Sequence, residues 1–177
     1  MRGAAPKQSE RQIKLLKDQV KQTEHQIEMA IKEDEQLQKS LRLLCSIPGI
    51  GLVTAIALIL ATNNFTTFDN GRKFASYCGV APFEHTSGSS IRGRTKTSHL
   101  ANKQIKSLLS NCAATAIQFD EELRIYFHRK VGEGKSRWGT TKMVVLNAVR
   151  SKLINRAFAT VNRGTEYVVF KQYGQAA

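Results

Sequence analysis

Residues 79–106 hold the densest group of side chains that could do chemistry. They read Gly-Val-Ala-Pro-Phe-Glu-His-Thr-Ser-Gly-Ser-Ser-Ile-Arg-Gly-Arg-Thr-Lys-Thr-Ser-His-Leu-Ala-Asn-Lys-Gln-Ile-Lys. From Thr86 to Ser98 nearly every residue is small, hydroxylated or basic. A stretch of that kind runs over a surface and can lie along a row of phosphates. Arg92, Arg94, Lys96, Lys103 and Lys106 have no acid interspersed among them to compensate. The hydroxyls of Ser87, Ser89, Ser90 and Ser98 are potential nucleophiles toward phosphorus. His85 stands two residues before Ser87 and could serve it as a base. Residue types alone single out none of these serines, and a loop serine or histidine is more often only solvated.

A second group lies upstream. Ile47-Pro48-Gly49-Ile50-Gly51, followed by Ala55, fits the helix-hairpin-helix pattern of apolar-Pro-Gly-apolar-Gly-x-x-x-Ala over residues 44–61. Two glycines permit a tight turn that exposes backbone N–H groups where a helix begins. Gly49, Ile50 and Gly51 are therefore candidates for holding a DNA phosphate without reading bases. Small Ala55 would let the second helix pack closely. The competing reading is a plain packing corner between two helices.

These groups need a scaffold, and the pattern predicts a mainly α one. Ile13, Leu16, Val20, Thr23, Ile27, Ala30, Asp34, Leu37, Leu41 and Leu44 alternate at three and four residues, which predicts a long N-terminal coiled-coil helix over residues 1–44. Asp34 and Thr23 are weak seam residues. The seam predicts a homo-oligomer, with an intramolecular helical pair as the alternative. A compact domain is expected over 45–165. It holds the hairpin, a short helix capped by Asp69 and stopped by Gly79, and the serine loop over 79–98. Basic helices then fill 99–160, and a tail follows over 166–177. One short β-hairpin is expected around residues 80–97. Ser98 is expected to cap a helix running to about Gln118, with Leu100, Ile105, Leu108, Leu109 and Cys112 inward. Another helix should span Asp120 to Lys130 and end at Gly132. The last, from about Thr140 to Thr160, carries an apolar stripe of Met143, Leu146, Val149, Leu153, Ile154 and Phe158. Its Lys142, Arg150, Lys152 and Arg156 form an expected phosphate-facing surface. Phe65, Phe68 and Phe74 read as core, and Trp138 as packing at a helix start.

Charge separates the two parts. Residues 1–44 carry nine Lys or Arg and seven Asp or Glu, while residues 45–177 carry eighteen against seven. Of the net charge of +13, +11 thus resides in the second part, whose expected partner is a polyanion. Cys45, Cys78 and Cys112 are too far apart for a zinc finger or a disulfide framework, so reduced thiols and a cytoplasmic location are expected. Met1 to Glu10 has no apolar core, so no signal peptide is expected. The apolar run Leu52 to Ala61 is about half the length of a membrane span, so no membrane is expected.

Gly79-Val80-Ala81-Pro82, Ser87-Gly88, Gly93-Arg94-Thr95-Lys96 and Asn102-Lys103 with Lys106 and Leu109 together resemble the C-terminal transposase domain of a bacterial insertion-sequence family. These are the DEDD recombinases of the IS-one-ten type, related to Piv-like invertases. The hairpin and the preceding helix also fit, so the resemblance runs from about residue 8 to 160. It implies DNA transposition or site-specific recombination, in which a serine attacks a phosphodiester and forms a covalent phosphoserine link. By motif position that catalytic serine is Ser87. Arg92, Arg94 and Lys96 would neutralise the phosphate, with Lys103 and Lys106 beside them. The resemblance also implies a guide RNA that chooses the DNA sites, and an N-terminal RuvC-like domain whose carboxylates hold magnesium. That half is absent from this sequence. Asp69, Glu84, Asp120, Glu121, Glu122, Glu133 and Glu166 show no spacing that would replace it. No cofactor or metal site is therefore expected here, and the chain is read as a fragment, a truncated reading frame or half of a split protein. Lys106 stands where many relatives carry Arg, which keeps charge but loses bidentate geometry. The alternative is a non-catalytic helix-hairpin-helix module that only binds nucleic acid. A third reading is a structural or oligomerisation protein whose charge serves solubility.

Overall fold

The computed structural model describes residues 4–81, 86–87, 91–92, 101–133 and 142–169. The chain divides into two units, Met1–Lys39 and Ser40–Ala177.

The first unit is the helix α1 (Ala4–Lys32) and the start of α2 (Glu35–Cys45). The heptad pattern runs without interruption through residue 34, but the helix does not. Asp34 leaves the helical ladder and its Oδ1 accepts from the backbone N–H of Gln36 at 2.8 Å and of Leu37 at 3.1 Å. A carboxylate here is worth more as the cap of α2 than as a polar residue in an apolar seam, because it satisfies N–H groups that have no helical partner. The expected single helix over 1–44 is thus two, and Asp34 marks the break. Along α1, Ile13, Leu16 and Val20 are exposed.

The second unit is organised around α7 (Lys142–Arg163), which packs against α4 (Gly71–Tyr77), α5 (Lys103–Phe119) and α6 (Glu121–Glu133). Val145, Val149, Leu153, Ile154, Ala157 and Phe158 of α7 are buried, a stripe at helical spacing. Met143, expected in that stripe, is 62% exposed, because it precedes the first turn that meets the core. On α5 the buried positions Ile105, Leu109, Cys112, Ala113 and Ala116 include two alanines, and α3 (Leu52–Thr62) packs against that helix.

Between α3 and α4 the chain turns through three consecutive residues with positive φ: Asn63 at 46°, Asn64 at 52° and Phe65 at 64°. A bulky residue such as Phe seldom adopts this conformation. It is held by the Thr62 hydroxyl, which accepts from the Phe65 N–H at 2.9 Å and donates to the Leu58 carbonyl at 2.7 Å. The Phe65 ring then packs edge-on to Phe158 at 4.8 Å, and Phe74 meets Phe158 at 5.8 Å, the expected aromatic core.

Helix starts differ from the sequence reading by one to four residues. Asn70, not Asp69, caps α4 by accepting from the Lys73 N–H at 3.0 Å. Asn102, not Ser98, caps α5 by accepting from the Ile105 N–H at 3.1 Å. Asp120 is the cap of α6, accepting from the Leu123 N–H at 2.9 Å, and that helix passes through Gly132 to Glu133. Two short strands, β1 (Thr86–Ser87) and β2 (Ile91–Arg92), pair antiparallel within the region where a hairpin was expected. Leu100, His85, Trp138 and the end of the tail lie outside the described residues. Among the described residues no helix is long and apolar enough to cross a membrane.

Candidate nucleic-acid interface

The turn between α2 and α3 is set by contacts with α5. Gly49 has φ +92°, and a Cβ built there would lie 2.5 Å from the Cys112 carbonyl oxygen and 2.7 Å from the Ala116 Cβ. Glycine is therefore required twice, by conformation and by the approach of the α5 backbone. The Ile50 side chain is buried, and its N–H donates to the Ile47 carbonyl at 3.0 Å. Gly51 is different. It is exposed, it meets nothing where a Cβ would sit, and it caps α3 without any side-chain hydrogen bond. Of the three hairpin residues singled out by sequence, Gly51 is the one whose surroundings leave room for a phosphate. Beneath it, burial pushes the Cys112 thiol pKa up, opposed by hydrogen bonding with Thr54 and the Gly51 backbone. The Cys112 thiol donates to the Thr54 hydroxyl at 3.3 Å.

The serine loop is pinned at its neck. Asn102 closes one side: its N–H donates to the Tyr77 carbonyl at 3.0 Å and its side-chain amide donates to the Tyr77 hydroxyl at 3.1 Å. Asn147 of α7 closes the other side by donating to the Val80 carbonyl at 2.6 Å. The Asn147 side-chain Oδ1 accepts in turn from the Arg150 guanidinium at 3.1 Å. The excursion from Ala81 to Ala101 therefore leaves and returns beside the end of α4. Within it, Ser87 pairs with Ile91 and Thr86 with Arg92. Arg94 and Lys96 lie outside the described residues.

Lys103 and Lys106 open α5, which has no acid in its first turn. Neither makes an ion pair among the described residues, and both face the positive end of the helix dipole. Cations there are unfavourable by about 0.3–1 kcal/mol each unless an anion joins them. The lysines and the hairpin turn do not converge. Gly49 sits against Cys112 and Ala116, some nine residues along α5 from Lys103, or roughly 13 Å of helix rise.

Two cations of α7 do not lie on the expected phosphate-facing surface. Arg150 is 5% exposed, its buried Nε has no partner among the described residues, and burial lowers its guanidinium pKa. Arg156 is held by Asp120 at 2.6 Å and Glu122 at 2.7 Å, with 13% of its side chain exposed. Helical periodicity could not reveal that two acids from the start of α6 come to meet it. Sequence reasoning also missed Arg72, Tyr126, Asn147 and Asn155, which line one cleft with Lys152. Only the uncompensated charge of Arg72 was there to be noticed. Among the described residues, no group of three or more His, Cys, Asp or Glu side chains could hold a metal ion.

The described residues thus place a glycine turn and a pinned loop neck on one basic helical unit. Through residues 41–128 the chain belongs to the transposase IS116/IS110/IS902 family. It is similar to the pilin gene-inverting protein of Moraxella bovis, 29% identical over 150 residues, which cover 85% of this chain and 45% of that protein. An uncharacterized insertion element IS110 protein of Streptomyces coelicolor is 32% identical over 124 residues, covering 70% of this chain and 29% of its own length. The transposase of insertion sequence element IS1328 from Yersinia enterocolitica is 25% identical over 160 residues, 85% of this chain and 43% of the relative. The chain thus spans less than half the length of these relatives.

Proposed function

We propose that this chain is the DNA-binding, strand-joining part of a transposase or invertase. The observation that carries this reading is the family match over residues 41–128, which contains the hairpin turn, the serine loop and the lysines that open α5. The pinned neck supports it, because a reactive loop needs rigid ends. In this reading the Ser87 hydroxyl oxygen attacks phosphorus, the bond to the leaving deoxyribose oxygen breaks, and the hydroxyl proton ends on that oxygen. Arg92, Arg94 and Lys96 balance the phosphate charge while this happens. Lys103, Lys106 and the Gly51 end of α3, read as a helix-hairpin-helix, hold flanking phosphates. Metal chemistry belongs to the part of the relatives that this chain does not match. The exposed α1 seam of Ile13, Leu16 and Val20 pairs with the same seam of a second copy as a coiled coil.

Duplex binding as a function of salt tests the DNA reading. Log affinity should fall linearly with log salt, and Lys103→Gln with Lys106→Gln should reduce that slope by about 2. A chain that binds neither DNA nor RNA at low salt would leave only the structural role.

A further inference from the structure

A cleft of about 770 Å³ lies between α4, α6 and α7, at the point where Val80 and Ala81 lead into the serine loop. Its volume falls within the roughly 300–1,000 Å³ of small-molecule sites. Ala75, Val80, Val144 and Ala148 supply an apolar floor of small or branched side chains. The polar side chains around that floor are Arg72, Lys152, Ser151, Asn155 and Asn147, with Tyr126 as the one aromatic. Among the described residues, no acid lines the cleft.

The polar groups differ in how committed they are. Asn147 is fully engaged between Val80 and Arg150, so it is a fixed wall. Lys152 sits with its ammonium 4.6 Å from the centre of the Tyr126 ring and 4.0 Å from Glu122, which hold it at the rim. Among the described residues, the Arg72 guanidinium and the side chains of Ser151 and Asn155 make no hydrogen bond or ion pair. Asp69, the nearest acid in sequence to Arg72, is taken by Lys73.

We infer that this cleft takes one unpaired nucleotide of the bound DNA strand. Its base lies on the apolar floor, with Ser151 and Asn155 at its edge, and its phosphate lies between Arg72 and Lys152. A bare phosphate would use the two cations but leave the floor empty. An apolar ligand would leave three polar groups without partners, which is costly. A nucleotide satisfies both requirements, and a nucleotide already unpaired enters without the cost of breaking a base pair. The inference rests on the DNA reading above and adds a place where DNA is held open beside the serine loop.

The test uses the full chain with two otherwise identical duplexes, one fully paired and one carrying a single unpaired 2-aminopurine. The unpaired duplex should bind roughly tenfold tighter, with a change in 2-aminopurine fluorescence on binding. Ala148→Phe, which fills the floor, should abolish that preference while paired-duplex affinity is kept, and the kept affinity reports a folded variant. Arg72→Gln, at an exposed position, should reduce the preference without the risk of overfilling. Equal affinity of the wild type for both duplexes would overturn the inference and leave the DNA reading intact. A preference that persists in both variants would overturn the location. Failure to bind either duplex would overturn the DNA reading, and this inference with it.

Discussion

Replacing Gly49 by alanine should unfold the second unit far more readily than replacing Gly51, although both glycines belong to one motif. At Gly49 the φ of +92° puts an alanine in a region that costs an L-residue about 1–2 kcal/mol. The new methyl would also sit 2.5 Å from the Cys112 carbonyl oxygen and 2.9 Å from the Ala116 nitrogen. Both are backbone atoms of α5, so a helix must shift rather than a side chain rotate. Overfilling of that kind costs about 1–3 kcal/mol. The alanine restricts the unfolded chain and returns about 0.4–1 kcal/mol. The net loss is about 3 kcal/mol, which is roughly 10 °C in Tm for a unit of this size. At Gly51 φ is −91° and the space is open. The loss there is confined to the poorer N-cap of alanine and should stay below about 1 kcal/mol. Thermal and urea unfolding of both variants checks this directly. DNA binding then separates the two roles of the motif: Gly51→Ala should weaken binding at nearly unchanged stability, because its methyl stands beside the first N–H groups of α3. A Gly49→Ala chain as stable as wild type would refute the packing argument, and so would equal losses at the two positions.

Three further outcomes follow from the same structure. Asp120→Ala removes the α6 cap and one of the two acids that hold Arg156, so it should cost about 3 kcal/mol in urea unfolding. Asp120→Asn keeps an oxygen for the Leu123 N–H and should cost clearly less; equal losses would show that the cap contributes nothing and that the ion pair carries the whole effect. Burial raises the Cys78 thiol from an ordinary value of 9.0 to about 12, so the unfolded chain ionises this thiol at lower pH than the folded chain. The stability this contributes is complete below pH 9 and is lost as pH rises toward 12, and Cys78→Ala should flatten that part of a urea-midpoint profile. In α1, Leu16→Asp with Val20→Asp should shift the chain to a smaller species in analytical ultracentrifugation at unchanged helicity of the second unit, and an unchanged mass would remove the seam as an interface.

The helical pattern of the fold was legible because periodicity reports burial. The stripe on α7 from Val149 to Phe158 and the inward face of α5 could both be read from spacing alone. Helix starts were less legible, because Asp69 and Asn70, or Ser98 and Asn102, are nearly equivalent caps in sequence. Which one is used depends on what the chain meets: Asn102 also reaches the Tyr77 hydroxyl. Asp34 was read by its place in a heptad, while its local hydrogen bonds to Gln36 and Leu37 decide its role. In the candidate interface, a count of cations showed an excess of positive charge in the second unit. It could not show which cations are free. Arg156 is consumed by Asp120 and Glu122, partners that are distant in sequence, and Arg150 is buried with Asn147, one turn back on its own helix. The cleft around Arg72 and Lys152 joins three helices and has no linear signature. Gly49 and Gly51 look alike in the motif, and only the position of α5 tells the structural glycine from the open one.

In the proposed reaction, Ser87 forms the covalent bond to DNA. The direct measurement is to assemble this chain with the remaining part of its recombinase, trap the reaction on a nicked DNA substrate, digest the product and locate the linked nucleotide by mass spectrometry. The account predicts a phosphodiester on Ser87, lost in Ser87→Ala while DNA binding is retained. A nucleotide on another residue, or an undiminished adduct in Ser87→Ala, would contradict it.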